Sequence, residues 1–133
     1  MQETKPRRRQ DLEDRLIGFA ARVLDVAAAL PKSPVGRHLA EQLTRCGTSP
    51  MANYAEAQGA ESRKDFVHKL KVALKELRET HAWLRLIQRR ELAGPRQRLL
   101  PIVAECDELI AMFVASVKTA QAGDRPPRGQ KMP

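Results

Sequence analysis

The chain has 133 residues, enough for one domain with a core and too few for two comfortable ones. Hydrophobic residues make up 42% but aromatics only 4%, so the core is aliphatic, which favours helices packed on helices over a β-sandwich. A formal charge of +8 calls for an anionic partner, or for no partner and a well solvated surface. No apolar run approaches the about 20 residues that a membrane span requires, so neither a membrane partner nor a spanning segment is expected.

Residues 1–10, M-Q-E-T-K-P-R-R-R-Q, carry positive charge with no apolar stretch behind it. They read as a flexible basic arm rather than a secretory signal, and the compartment expected is the cytoplasm. Asp11, with Asp14 three residues on, is the expected cap of a first helix. Leu12, Leu16, Phe19, Val23, Val26 and Leu30 form its apolar stripe, and Ile17, Ala20, Leu24 and Ala27 are expected to widen it. Pro31 ends it. Ser33-Pro34 then supplies a hydroxyl cap followed by a proline at the first helical position. The second helix is expected to carry Val35, Leu39, Leu43 and Cys46 inward, to kink or loosen at Pro50, whose missing N–H frees the Cys46 carbonyl, and to stop near Gly59.

Ser62 and Asp65 open the third helix, and no Gly or Pro interrupts residues 61–93. Phe66, Leu70, Ala73, Leu77, Thr80, Leu84 and Ile87 alternate at steps of four and three, the period of one helix face. Lys64, His68, Lys71, Lys75, Arg78, Arg85 and Arg89 repeat at nearly the same spacing on the opposite side, and the line from Lys64 through Lys75 lies about 160–180° from the line through Phe66. Gly94-Pro95 is the expected stop, with glycine supplying the left-handed residue. The last helix has Pro101 near its first turn and an apolar line of Leu99, Val103, Cys106, Ile110, Phe113 and Val117, flanked by Leu100, Ile102, Leu109 and Val114. Residues 121–133, rich in Pro, Gly and charge, read as a disordered basic tail. Residues 11–120 therefore predict an all-α domain, an up-down-up-down antiparallel four-helix bundle.

Ser49, Asn53 and Glu56, at steps of four and three beside Pro50, share a polar face of the second helix. They read as a structural motif that satisfies backbone groups freed by Pro50 and bonds a neighbouring helix, in preference to a ligand cluster. Cys46 and Cys106 sit on apolar lines and read as small buried hydrophobes. His38, His68 and His81 match no metal-ligand spacing, and no Gly-rich phosphate loop is present, so no metal or other cofactor is expected. A catalytic pair of Glu56 and His81 is the weakest reading, and the chain is read as a non-enzyme. The cationic line on the third helix suits the phosphates of RNA or DNA, and without interleaved aromatics it predicts low sequence specificity. Val72, Trp83 and Leu86 form a second apolar edge on that helix and are expected at a contact between subunits.

The run R-C-G-T-S-P-M-A-N-Y-A-E-A-Q, followed by K-D-F-V-H-K-L-K-V-A-L-K-E-L-R-E-T-H-A-W-L, resembles the four-helix-bundle proteins of the 23S ribosomal RNA intervening-sequence family. The signature falls on Thr48, Ser49, Asn53, Tyr54, Glu56, Lys75, Glu76, Glu79, Thr80, Trp83 and Leu84, and the resemblance covers residues 11–120. It implies a homopentamer with a basic surface. Relatives in that family include the accessory variability determinant of diversity-generating retroelements, which binds nucleic acid and associates with a reverse transcriptase. The resemblance thus implies a reverse transcriptase as a candidate partner. The leading expectation is an oligomeric nucleic-acid-binding bundle; the alternative is a scaffold that binds a partner enzyme without nucleic acid.

Overall fold

Four helices follow one another in the computed structural model, which describes residues 7–123, with side chains from residue 11 onward. They are α1 (Arg7–Ala28), α2 (Pro34–Gln58), α3 (Arg63–Arg89) and α4 (Leu100–Ala122), the last entered through one 3₁₀ turn, Arg96–Leu99. The expected tails at residues 1–6 and 124–133 lie outside the described residues.

Most boundaries have the local cause that the sequence suggests. Ser33 Oγ accepts from the Gly36 N–H at 3.1 Å with Pro34 at the first helical position, and Ser62 Oγ accepts from the Asp65 N–H at 3.0 Å. Pro101 lies in the first turn of α4. Two boundaries differ. α1 begins at Arg7, so Asp11 and Asp14 lie inside it rather than at its cap; the intervening Arg and Gln residues are good helix formers and nothing in them stops the helix. The left-handed residue that closes α3 is Glu91, at φ 50°, not Gly94. The Glu91 N–H donates to the Gln88 carbonyl and the Leu92 N–H to the Ile87 carbonyl, which is the Schellman pattern. Gly94, at φ 99°, serves a second turn three residues later.

Cross-helix contacts establish direction. His38 faces Trp83, Arg45 reaches Glu76 and Glu79, and Glu56 reaches Lys69, so positions rise along α2 as they fall along α3. Arg63 Nη1 donates to the Ala120 carbonyl and Cys106 Sγ to the Leu77 carbonyl, which sets α4 antiparallel to α3. Each helix packs on the next and α4 returns to α1, while the diagonal pairs keep their backbones apart and meet through side chains, as where Tyr54 of α2 stands edge-on to Phe113 of α4 with ring centroids 5.9 Å apart. The result is the expected antiparallel four-helix bundle. The α1–α4 seam is the looser one and is held by a polar clamp: Arg15 bonds both oxygens of Glu105 (2.7 and 3.0 Å) and one of Glu108 (2.8 Å).

The core follows the apolar lines, with shifts at their margins. Leu12, Leu16, Phe19, Val23 and Leu30 are buried from α1, and Leu39, Leu43 and Cys46 from α2. Leu70, Ala73, Leu77, Thr80, Leu84 and Ile87 are buried from α3. Ile17 and Leu24 do not widen the core stripe; each is 47% exposed. They lie about 100° and 80° around the helix from Leu16, beyond the arc that the neighbours cover. Val35 is also exposed, and Val67 rather than Phe66 is buried at the start of α3. On α4 the buried line runs through Ile102, Cys106, Leu109, Phe113 and Val117, leaving Val103 and Ile110 at its edge.

Pro50 is buried inside α2, which continues unbroken to Gln58. Side-chain bonds support the turns around it. Thr48 Oγ1 donates to the Thr44 carbonyl at 2.8 Å, and the Asn53 amide donates to the Ser49 carbonyl and hydroxyl at 3.1 and 2.8 Å.

Candidate nucleic-acid interface

α3 presents four different sides, and its cationic side is set by what the other three accept. Its apolar line enters the core. One flank faces α2 and carries Glu76, Glu79 and Trp83; the other faces α4 and carries His81. Lys64, His68, Lys71, Lys75, Arg78, Arg85 and Arg89 occupy the fourth side, and all seven are exposed. From Lys64 to Arg89 this ridge extends about 37 Å at 1.5 Å per residue. None of the seven makes an ion pair among the described residues.

Two of the three acids of the same helix, Glu76 and Glu79, are engaged elsewhere; the third, Asp65, lies in its first turn. Arg45 of α2 bonds Glu76 at 3.2 Å and also bonds Glu79, whose Oε2 accepts from the Trp83 indole at 3.1 Å. Arg45 was not singled out by the sequence, yet it is the residue that draws the two carboxylates to the α2 flank. With those acids occupied, the ridge remains unneutralised.

The residues expected at a subunit contact do not form one bare apolar edge. Val72 and Trp83 are partly buried, and Trp83 stands edge-on to His38 of α2 with ring centroids 6.1 Å apart. Leu86 is 44% exposed and lies among arginines. At that end of the ridge a concavity of about 460 Å³ is lined by Ala82, Arg85, Leu86, Gln88, Arg89 and Arg96. Arg96 comes from the 3₁₀ turn, and its backbone is held on both sides. Its N–H donates to Glu91 Oε2 at 3.1 Å, and its carbonyl accepts from Gln88 Nε2 at 3.4 Å.

The polar group on α2 divides its roles. Ser49 and Asn53 bond each other, whereas Glu56 crosses to α3 and pairs with Lys69 at 2.7 Å. His81 lies on the opposite flank, with Nε2 2.8 Å from Asp107 Oδ1, close enough for an ion pair but not aligned as a hydrogen bond. Lys69 and His81 are about 18 Å apart along α3, so Glu56 and His81 share no cleft, and the hydrolytic reading fails on geometry. Cys46 and Cys106 are buried. Burial, reinforced by Asp107, pushes the Cys106 thiol up to about 12, and burial also raises Cys46. Both are neutral packing groups, not nucleophiles.

Residues 10–115 match the sequence model of a family described as 23S rRNA-intervening sequence protein. The chain belongs to that family. The match takes in the whole of α2 and α3, most of α1 and α4, the whole cationic ridge and the concavity at its end. Among solved structures, this 23S rRNA-intervening sequence family member is similar to a protein of unknown function from the S23 ribosomal protein family of Bacteroides thetaiotaomicron. The two are 33% identical over 83% of this chain and 97% of that one, with a TM-score of 0.75. No curated protein matches the chain. Among the described residues, no helix is long and apolar enough to cross a membrane.

Proposed function

We propose that this protein is a non-enzymatic bundle that binds the phosphates of RNA or DNA along α3, with little sequence preference. The observation that carries the reading is the ridge itself. Seven exposed cationic or titratable side chains run along one helix without an ion-pair partner among the described residues, while two of the three carboxylates of that helix, Glu76 and Glu79, are held aside by Arg45. Phosphate contacts of this kind release condensed counterions and supply affinity without reading bases. The same reading includes self-association, a homo-oligomer of five copies, which would multiply the ridges that one polyanion can engage. It also includes a reverse transcriptase as the enzyme served.

Charge reversal tests it. Lys71→Glu, Lys75→Glu and Arg78→Glu together should weaken binding to mixed-sequence duplex RNA and DNA by about a hundredfold or more, at roughly 1 kcal/mol or more per lost contact. All three residues are exposed, so helicity should be retained. Undiminished binding would remove α3 as the interface.

Ile17 and Leu24, each half exposed on α1, favour a competing reading in which a protein partner is bound without nucleic acid. A pull-down of the suspected enzyme after nuclease treatment separates the two: retention supports the protein contact, and loss supports the nucleic-acid bridge.

A further inference from the structure

The ridge accounts for a row of phosphates but not for the shape at its end. A duplex backbone is convex and keeps its bases stacked inside. It has no use for a concavity of about 460 Å³ with an uncovered leucine in it. That volume falls within the range of small-ligand sites, about 300–1,000 Å³. Arg85 and Arg89 stand one turn apart on α3, and Arg96 approaches from a different element, so guanidinium groups border the space from two sides. None of the three has an ion-pair partner among the described residues. Planar forks so grouped suit the several oxygens of one phosphate, and their faces also stack on bases. Leu86, 44% exposed, and Ala82 supply an apolar surface beside them.

We infer that this concavity receives one unpaired nucleotide of the bound strand, its phosphate on Arg85, Arg89 and Arg96 and its base against Leu86 and Ala82. The inference rests on the nucleic-acid reading and narrows it: the preferred ligand is a strand with a single-stranded end or junction, not an uninterrupted duplex. Arg96 makes the two claims separable, because it lies off the α3 ridge.

The test compares a blunt RNA hairpin, its loop replaced by a polyethylene glycol linker so that no base is unpaired, with the same hairpin carrying a short single-stranded extension, for the full chain and for Arg96→Gln and Leu86→Gln. Both positions are exposed, so the fold should be undisturbed. The wild type should bind the extended hairpin about tenfold more tightly. Each variant should bring that ratio close to one while changing affinity for the blunt hairpin less than about fivefold, the upper end for one exposed charge contact. Equal binding of both hairpins by the wild type, or a preference that survives Arg96→Gln, overturns the inference. If the blunt hairpin still depends on Lys71, Lys75 and Arg78, the ridge stands and only the concavity fails. If neither hairpin binds, the nucleic-acid reading itself fails. Adenosine monophosphate as competitor should abolish the extra affinity for the extension. If it binds through Arg96 while the extension confers no preference, the ligand is a free nucleotide and the strand assignment is wrong.

Discussion

Gly47 shows how one residue's environment reverses a general propensity. In an exposed helix interior, Gly→Ala stabilises by about 1 kcal/mol. Here a Cβ on Gly47 would stand 2.5 Å from Val23 Cγ1 and 2.9 Å from its Cγ2, because α1 and α2 approach closely at this point. Gly47→Ala should therefore destabilise by about 1–3 kcal/mol in chemical denaturation, and a second change, Val23→Ala, should recover part of the loss. A stability equal to or above wild type would contradict the close approach. A glycine in mid-helix has no reason within its own helix at this position; the reason lies on α1. Cys106 makes a pH-dependent case. Its thiol is raised to about 12 in the folded chain from an ordinary value near 9.0, so folding favours the protonated form. That contribution is full below about pH 9 and is lost as pH rises toward 12. Cys106→Ala should flatten the alkaline fall in stability, and the native thiol should resist alkylation at neutral pH.

At the scale of the element, α3 was the most legible part of the chain. Two interleaved periods on one uninterrupted helix separate core from ridge, and six of the seven predicted core positions are buried. Periodicity gives direction but not the width of the covered arc, so Ile17, Leu24 and Val35 were placed inward and stand exposed. Cross-helix partners were equally invisible, as Arg45 illustrates. Arg45→Ala should release Glu76 and Glu79 beside the ridge and weaken RNA binding about two- to fivefold, the range of exposed charge pairs. Adding Glu76→Gln and Glu79→Gln should restore it. If the triple variant binds no better than Arg45→Ala, the two carboxylates have no bearing on the ridge. The turn after α3 offers a further check. Gly94 adopts φ 99°, and a Cβ there would lie 2.9 Å from Arg98 Nη1. Gly94→Ala should cost about 1–2 kcal/mol of stability in thermal unfolding.

For the whole molecule, the architecture and the family were both readable, since four amphipathic runs with short links admit few alternatives and the motif around Asn53 and Trp83 is distinctive. The concavity was not readable. It depends on a left-handed Glu91 folding the chain back so that Arg96 meets Arg85 and Arg89, and no periodicity reports such a meeting. Assembly follows similar logic, because sequence spacing placed Val72, Trp83 and Leu86 on one edge whereas the structure gives Trp83 a partner in its own chain. Mass by light scattering tests self-association: five copies are expected, and a monomer at all concentrations would leave a single ridge to supply the affinity. The central claim meets its most direct test in a salt titration of binding to mixed-sequence duplex RNA. Wild type should give a straight line of log affinity against log salt, and Lys71→Gln, Lys75→Gln and Arg78→Gln together should make its slope shallower by about 3, near 0.9 per contact removed. An unchanged slope in that variant, or an affinity indifferent to salt in the wild type, would contradict the account.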